Sequence, residues 1–117
     1  MRTTVLMIDD HQGFRARARV LLEAEGFDVV GEAADGRSGL AAASRLQPDV
    51  ALVDIQLPDL DGFAVAASLR AEGMAGRIVL ISGRDAEDFG DRLGNSAADG
   101  FIAKADLCGQ RLAEVIA

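Results

Sequence analysis

Val50-Ala51-Leu52-Val53-Asp54-Ile55-Gln56-Leu57-Pro58-Asp59-Leu60-Asp61-Gly62 begins as an unbroken apolar run, ends that run on a carboxylate, and continues through a proline-containing loop. Four consecutive apolar residues without polar alternation fit a strand buried on both faces, as in a parallel sheet. Gly62 to Glu72 then reads as a helix, so the stretch is the strand-loop-helix half of a βαβ unit.

The same alternation extends in both directions. Val5-Leu6-Met7-Ile8 reads as a first strand, and Gly13 to Glu25 as a helix with Phe14, Ala18, Leu21 and Leu22 on one face. Gly26 stands where a C-terminal cap belongs. Phe27 to Gly31 reads as a second strand, and Arg37 to Leu46 as a helix stopped before Pro48. Beyond the central unit, Arg77 to Ile81 is a fourth strand. Asp85 to Leu93 is a weaker fourth helix, with Gly90 inside it and Gly94 at its end, each costing about 1 kcal/mol against alanine. Gly100 to Ala103 is a fifth strand, and Asp106 is placed to cap a last helix from Leu107 to Ala117. Five βα units imply a parallel sheet with helices on both faces, in the flavodoxin-like order 2-1-3-4-5. Ligands of such sheets lie at the carboxyl ends of the strands, beside the first and third.

Chemistry is therefore sought in the residues that follow each strand. Strand one is followed by Asp9 and Asp10, strand three by Asp54, strand four by Ser82-Gly83 and strand five by Lys104. Taken singly, each has a plain structural role: a turn, a cap, a solvated charge. Together they bring three carboxylates, a hydroxyl and an ammonium to one rim. Crowded carboxylates favour a hard divalent cation, and Mg2+, held by carboxylates, a carbonyl and waters, is the natural candidate. An imidazole- or thiolate-preferring metal is not expected, since His11 stands alone and Cys108 lies in another segment. A carboxylate can act as a covalent nucleophile toward phosphorus, and phosphoryl transfer needs mainly positioning and charge neutralisation.

Composition bounds the rest. The 117 residues suffice for one domain, half are hydrophobic, and a quarter are charged. A net charge of −7 argues against nucleic-acid binding by this domain. No apolar run is long enough for a membrane span, and Asp9-Asp10 interrupt the first one, so a cytoplasmic location is expected. Cys108 has no partner for an internal disulfide and reads as a small apolar residue of the last helix. Of 12 basic residues only Lys104 is a lysine.

With these residues in place, the chain closely resembles bacterial two-component response-regulator receiver domains over essentially its whole length. The resemblance rests on Val5-Leu6-Met7-Ile8-Asp9-Asp10-His11, on Val53 through Gly62, on Ser82-Gly83, and on Gly100-Phe101-Ile102-Ala103-Lys104. The Asp-Asp-His start and Val29-Val30-Gly31-Glu32-Ala33 resemble the NarL/FixJ/LuxR-type subclass. The resemblance implies a single CheY-like receiver domain over residues 1–117, with Asp54 as phosphoacceptor. It implies Mg2+ bound by Asp10 and Asp54, by Asp9 partly through water, and by the backbone carbonyl of Gln56. Ser82 and Lys104 would hold phosphoryl oxygens. Phe101 would rotate inward with Ser82, switching the face made by the fourth helix, fifth strand and fifth helix. Implied partners are a sensor histidine kinase or phosphotransfer protein, a C-terminal DNA-binding output domain in a longer parent chain, and a second copy of the chain on phosphorylation. Such a protein is a phosphoacceptor switch that catalyses only its own phosphorylation and dephosphorylation.

Two departures from the family pattern stand out. Ala105 follows the lysine where many receivers have proline; a non-proline cis bond costs about 3 kcal/mol, so a trans bond is expected. Phe101 lacks the hydroxyl of a tyrosine at that place. Two other readings stay open. A magnesium-dependent hydrolase with an aspartate nucleophile would need a second aspartate where Gln56 stands, and a substrate cap. A degenerate receiver used only for docking would have lost one of the acids or Lys104.

Overall fold

The structure, a computed structural model, describes residues 2–117. Five parallel strands, β1 (Thr4–Ile8), β2 (Asp28–Ala33), β3 (Val50–Asp54), β4 (Arg77–Ser82) and β5 (Gly100–Ala103), form one sheet in the order β2-β1-β3-β4-β5. Alternate residues of the apolar runs supply opposite faces. Leu6, Ile8, Ala51, Val53, Ile78 and Leu80 pack against α2 (Gly36–Leu46) and α3 (Gly62–Ala71). Val5, Met7, Leu52, Val79, Ile81 and Ile102 pack against α1 (Gln12–Ala24) and α4 (Gly109–Ile116). Both faces are covered, which is why the strands carry no polar alternation.

Helix ends follow local chemistry. Gly26 has φ +99°, its N–H donates to Glu23 O at 3.3 Å, and the Phe27 N–H donates to Leu22 O at 3.0 Å. This is a Schellman termination, for which glycine is the favoured residue. Asp35 accepts from the Ser38 N–H and Asp61 from the Ala64 N–H, each at 2.8 Å, capping α2 and α3. Asp59 accepts from the N–H groups of Gly36 (2.7 Å), Arg37 (3.0 Å) and Leu60 (2.9 Å). The Gly36 N–H contributes most, and together these bonds outweigh desolvation and hold the Asp59 carboxyl below its ordinary range. The acids of the loop after β3 are thus occupied in anchoring helices.

Three expectations change. The second strand runs on to Ala33, because its ladder with β1 continues past a bulge to the Ile8–Ala33 pair. The fourth helical segment is a 3₁₀ segment, Ala86–Arg92, opened by an Asp85/Asp88 capping box and broken by Gly90 at φ 55° and ψ −133°. That conformation is not helical, so no α-helical register crosses it. The last helix is capped by Cys108, not Asp106. A 3₁₀ turn, Lys104–Asp106, precedes it, and the Cys108 Sγ accepts from the Arg111 N–H at 3.4 Å. Cys108 is therefore a cap, not an apolar residue within the helix. Every peptide bond among the described residues is trans, including Lys104–Ala105.

Gly62 sets how closely α3 approaches the end of β3. A Cβ there would lie 2.5 Å from Asp54 O and 2.7 Å from Ile55 Cα, both backbone atoms that cannot rotate away. Gly62→Ala is expected to destabilise by about 1–3 kcal/mol, lowering the melting temperature by several degrees. An unchanged melting temperature would show that the loop can retreat freely.

Candidate functional site

The ladder positions the site. Ile8 pairs with Val53, so Asp9 and Asp54 emerge side by side; Ser82 pairs with Ala103, so Lys104 emerges beyond β5 on the same rim. Asp9, Asp54 and Ser82 are the three buried polar residues among those described. Asp10 is exposed and lines an open cleft together with Asp54, Gln56 and Lys104.

Lys104 reaches over both buried acids. Its Nζ lies 2.6 Å from Asp9 Oδ2 and 3.4 Å from Asp54 Oδ2, and sits 4.5 Å from the centroid of the Phe14 ring. The 2.6 Å contact makes Lys104 the ion-pair partner of the fully buried Asp9 carboxylate. Asp9 Oδ1 accepts from the His11 N–H at 2.8 Å, and Asp54 Oδ1 from the Gln56 N–H at 3.2 Å. Burial, then repulsion from Asp9, raises the Asp54 carboxyl above its ordinary range against the opposing pull of Lys104 and the Gln56 N–H. An anion held in a costly state gains from any cation or electrophile that neutralises it.

Ser82 stands one residue beyond Ile81, the partner of Asp54. Its Oγ accepts from the Arg84 N–H at 3.0 Å, which leaves the hydroxyl hydrogen free to donate. Phe101 is half-buried, opposite Leu80, with its ring centroid 6.0 Å from that of Phe89 in the 3₁₀ segment; Phe89 in turn lies 6.1 Å from Phe63 of α3. An aromatic series thus runs from β5 to α3.

Sequence reasoning missed two contributors. His11, which has no second imidazole or thiolate beside it, places its Nδ1 3.2 Å from both Asp9 Oδ1, to which it is hydrogen-bonded, and Asp10 Oδ1; adjacency to the acidic pair was the available signal. Arg15 donates to the backbone carbonyl of Asp9 and, through Nε at 2.9 Å, to Glu32, which also accepts from Arg19 at 2.8 Å. Burial pulls the Glu32 carboxyl upward, but the two arginines more than offset this and hold it below its ordinary range. The end of β2 thus braces the turn that carries the acidic pair.

Comparison with known proteins identifies the family. A model of the response regulator receiver domain matches residues 5–116. The virulence-factor transcription regulator BvgA of Bordetella pertussis is 41% identical over 104 residues, covering 89% of this chain and 50% of its own. The nitrate/nitrite response regulator NarL of Escherichia coli is 35% identical over 102 residues, covering 86% and 47%. The chain spans about half the length of the curated relatives it matches. The solved NarL signal receiver domain of Mycobacterium tuberculosis superposes with a TM-score of 0.86 at 32% identity, covering 97% of this chain and 96% of that one. The chemotaxis regulator CheY4 of Vibrio cholerae, at 24% identity and a TM-score of 0.86 over 98% and 99%, shares the fold. On the match across residues 5–116, the chain belongs to the response-regulator receiver domains.

Proposed function

We propose that this receiver domain is a phosphorylation-controlled switch whose acceptor is Asp54. The observation that carries the proposal is a buried carboxylate, raised in pKa, at the end of the central strand, with an ammonium 3.4 Å away. An Asp54 oxygen attacks the phosphorus of a phosphohistidine on a sensor kinase or phosphotransfer protein, or of a small acyl phosphate. The O–P bond forms as the donor's bond to phosphorus breaks, and the imidazole or carboxylate leaves. Lys104 turns from the two acids to a phosphoryl oxygen, and the Ser82 hydroxyl donates to another. Water later cleaves the acyl phosphate and restores Asp54. The chain acts on itself, not on a released metabolite.

The acidic pocket fits a hard cation. Asp9, Asp10 and Asp54 bring three carboxylates together, two of them buried under the single ammonium of Lys104, and the surrounding donors are oxygens apart from one imidazole nitrogen. Asp9, Asp10, Asp54 and the backbone carbonyl of Gln56 would hold Mg2+, which supplies charge neutralisation to the phosphoryl oxygens when bound. Inward movement of Phe101 would relay the state of Ser82 to the face formed by the 3₁₀ segment, β5 and α4. A C-terminal DNA-binding output domain in a longer parent chain and a phosphorylation-dependent homodimer fit this role, as does a cytoplasmic location. No helix among the described residues is long and apolar enough to cross a membrane.

Incubation with acetyl phosphate and magnesium, followed by intact mass, tests the proposal. One added phosphoryl group is expected; turnover without an adduct would indicate a hydrolase, and no reaction a docking module. Magnesium is also expected to raise the melting temperature, by an amount equivalent to about 2.7 kcal/mol at a hundredfold excess over its Kd. Asp10→Ala is expected to remove most of that rise. Identical melting curves in chelator and in millimolar magnesium would dismiss the cation site.

A further inference from the structure

We propose that Arg15 is a positioning residue for the cation: it fixes the peptide between Asp9 and Asp10, and so aims the Asp10 carboxylate into the cleft, through a guanidinium that Glu32 holds in place. The inference rests on the acidic pocket being a cation site, and the test below separates the two.

Between Ile8, which ends β1, and Gln12, which begins α1, the chain turns from strand to helix. That turn carries both acids. Asp9 is fully buried, and its N–H donates to Ala33 O at 2.9 Å. Its carboxylate is held by the His11 N–H at 2.8 Å and by Lys104 at 2.6 Å. Asp10 is exposed instead, and its carboxylate meets only the His11 ring, which is itself exposed, at 3.2 Å. Its direction is therefore set by its backbone.

One side chain grips that backbone. Arg15, in the first turn of α1, donates through a terminal nitrogen to the carbonyl of Asp9, which belongs to the Asp9–Asp10 peptide. Its Nε donates to Glu32 Oε1 at 2.9 Å, and Glu32 Oε2 accepts from Arg19 Nε at 2.8 Å. Arg19 in turn donates to Val29 O at 3.0 Å. The Arg15 side chain is only 14% exposed. Its planar fork is thus fixed to the edge strand and to the acidic turn at once, which a single ammonium cannot reproduce.

Charge and position act in opposite senses at this residue. A guanidinium beside a cation pocket repels a divalent ion, so by charge alone its removal would tighten binding. By position its removal frees the Asp9–Asp10 peptide and weakens binding, as loss of outer groups that orient metal ligands does. The plain alternative is that the Arg15–Glu32 pair only fastens α1 to β2.

Titration calorimetry with Mg2+ is made on the wild-type chain, Arg15→Met, Arg15→Lys, Arg17→Met and Asp10→Ala. Arg15→Met is expected to weaken Mg2+ about tenfold, and Arg15→Lys, which keeps the charge but not the fork, to weaken it too. Arg17→Met removes a charge from the same helix at an exposed residue lining the cleft, and is expected to leave Mg2+ affinity unchanged or tighter. The Asp10 amide resonance, which reports the gripped peptide, should move in metal-free Arg15→Met and stay in place in Arg17→Met. Mg2+ affinity in Arg15→Met equal to or tighter than wild type, or an unmoved Asp10 amide, overturns the positioning role while leaving the cation site intact. If Arg15→Met does not fold, Arg15→Lys decides by the same two measurements. If the wild type binds no Mg2+, or Asp10→Ala binds it as tightly as wild type, the acidic pocket is not the cation site and both readings fall.

Discussion

Asp54→Asn is expected to lose phosphorylation to below detection and, unlike most core substitutions, to melt at a higher temperature than wild type at neutral pH. The amide keeps the size of the carboxyl but has no nucleophilic anion, so no adduct forms with acetyl phosphate. The stability gain follows from proton linkage. Burial and the neighbouring Asp9 raise the folded-state pKa of Asp54 above its unfolded value. The protonated acid is thus the form the fold favours. Its contribution is fully present below the unfolded pKa, about 3.9, and is lost as pH rises through the folded pKa. The Asn variant never ionises and does not suffer that loss. The melting difference between variant and wild type should vanish in acid, open as pH climbs through the raised carboxyl range, and level off toward neutrality. Adduct formation at the wild-type rate would remove Asp54 as acceptor, and a variant less stable than wild type at neutral pH would contradict the strained anion.

Lys104→Arg retains the charge, yet is expected to slow phosphorylation at least about tenfold, equivalent to roughly 1.4 kcal/mol in the barrier. The Lys104 side chain is only 16% exposed, with one nitrogen against two carboxylates and the Phe14 ring. A guanidinium is planar and forked, and its charge is spread over three nitrogens. It cannot bring a single donor to 2.6 Å from Asp9 and 3.4 Å from Asp54 in the same niche and then transfer it to a phosphoryl oxygen. Since 11 of the 12 basic residues are arginine, a general drift toward lysine does not account for this position. The variant should remain folded. Amide chemical shifts of the Ser82 and Phe101 segments, with and without beryllofluoride as the phosphoryl mimic, should lose most of their change. Wild-type-like shifts and rate would mean that position 104 supplies charge alone.

The strands and the rim were legible because their signals are local and agree with one another. Val50-Ala51-Leu52-Val53 and Ile78-Val79-Leu80-Ile81 are apolar without alternation, and the sheet buries both of their faces. The residues after each run were therefore on the rim once the strand order was fixed. The 3₁₀ segment was not legible as such: Asp85 and Asp88 form a sound helix start, and only the backbone angles of Gly90 show that it goes no further. The Cys108 cap was hidden because Asp106 is the better capping residue by type, and the 3₁₀ turn from Lys104 to Asp106 displaces the helix start beyond it. His11 was discounted for want of a second metal-preferring side chain. A turn folds its ring back on its own neighbours, and spacing along the chain does not report that.

The broken 3₁₀ segment has a consequence for recognition. None of its residues is buried, the backbone of Gly90 kinks it, and its main side-chain anchors are the Phe89 ring between Phe63 and Phe101 and the Arg92 contact with Asp61. Such a segment opens at a free energy well below that of the sheet, as its own cooperative unit. A partner gripping this face must first halt that opening, and the conformational entropy so lost is subtracted from the contact energy it gains. Any event at the rim that quiets the segment beforehand raises the partner's affinity without adding a single contact, through reduced motion alone.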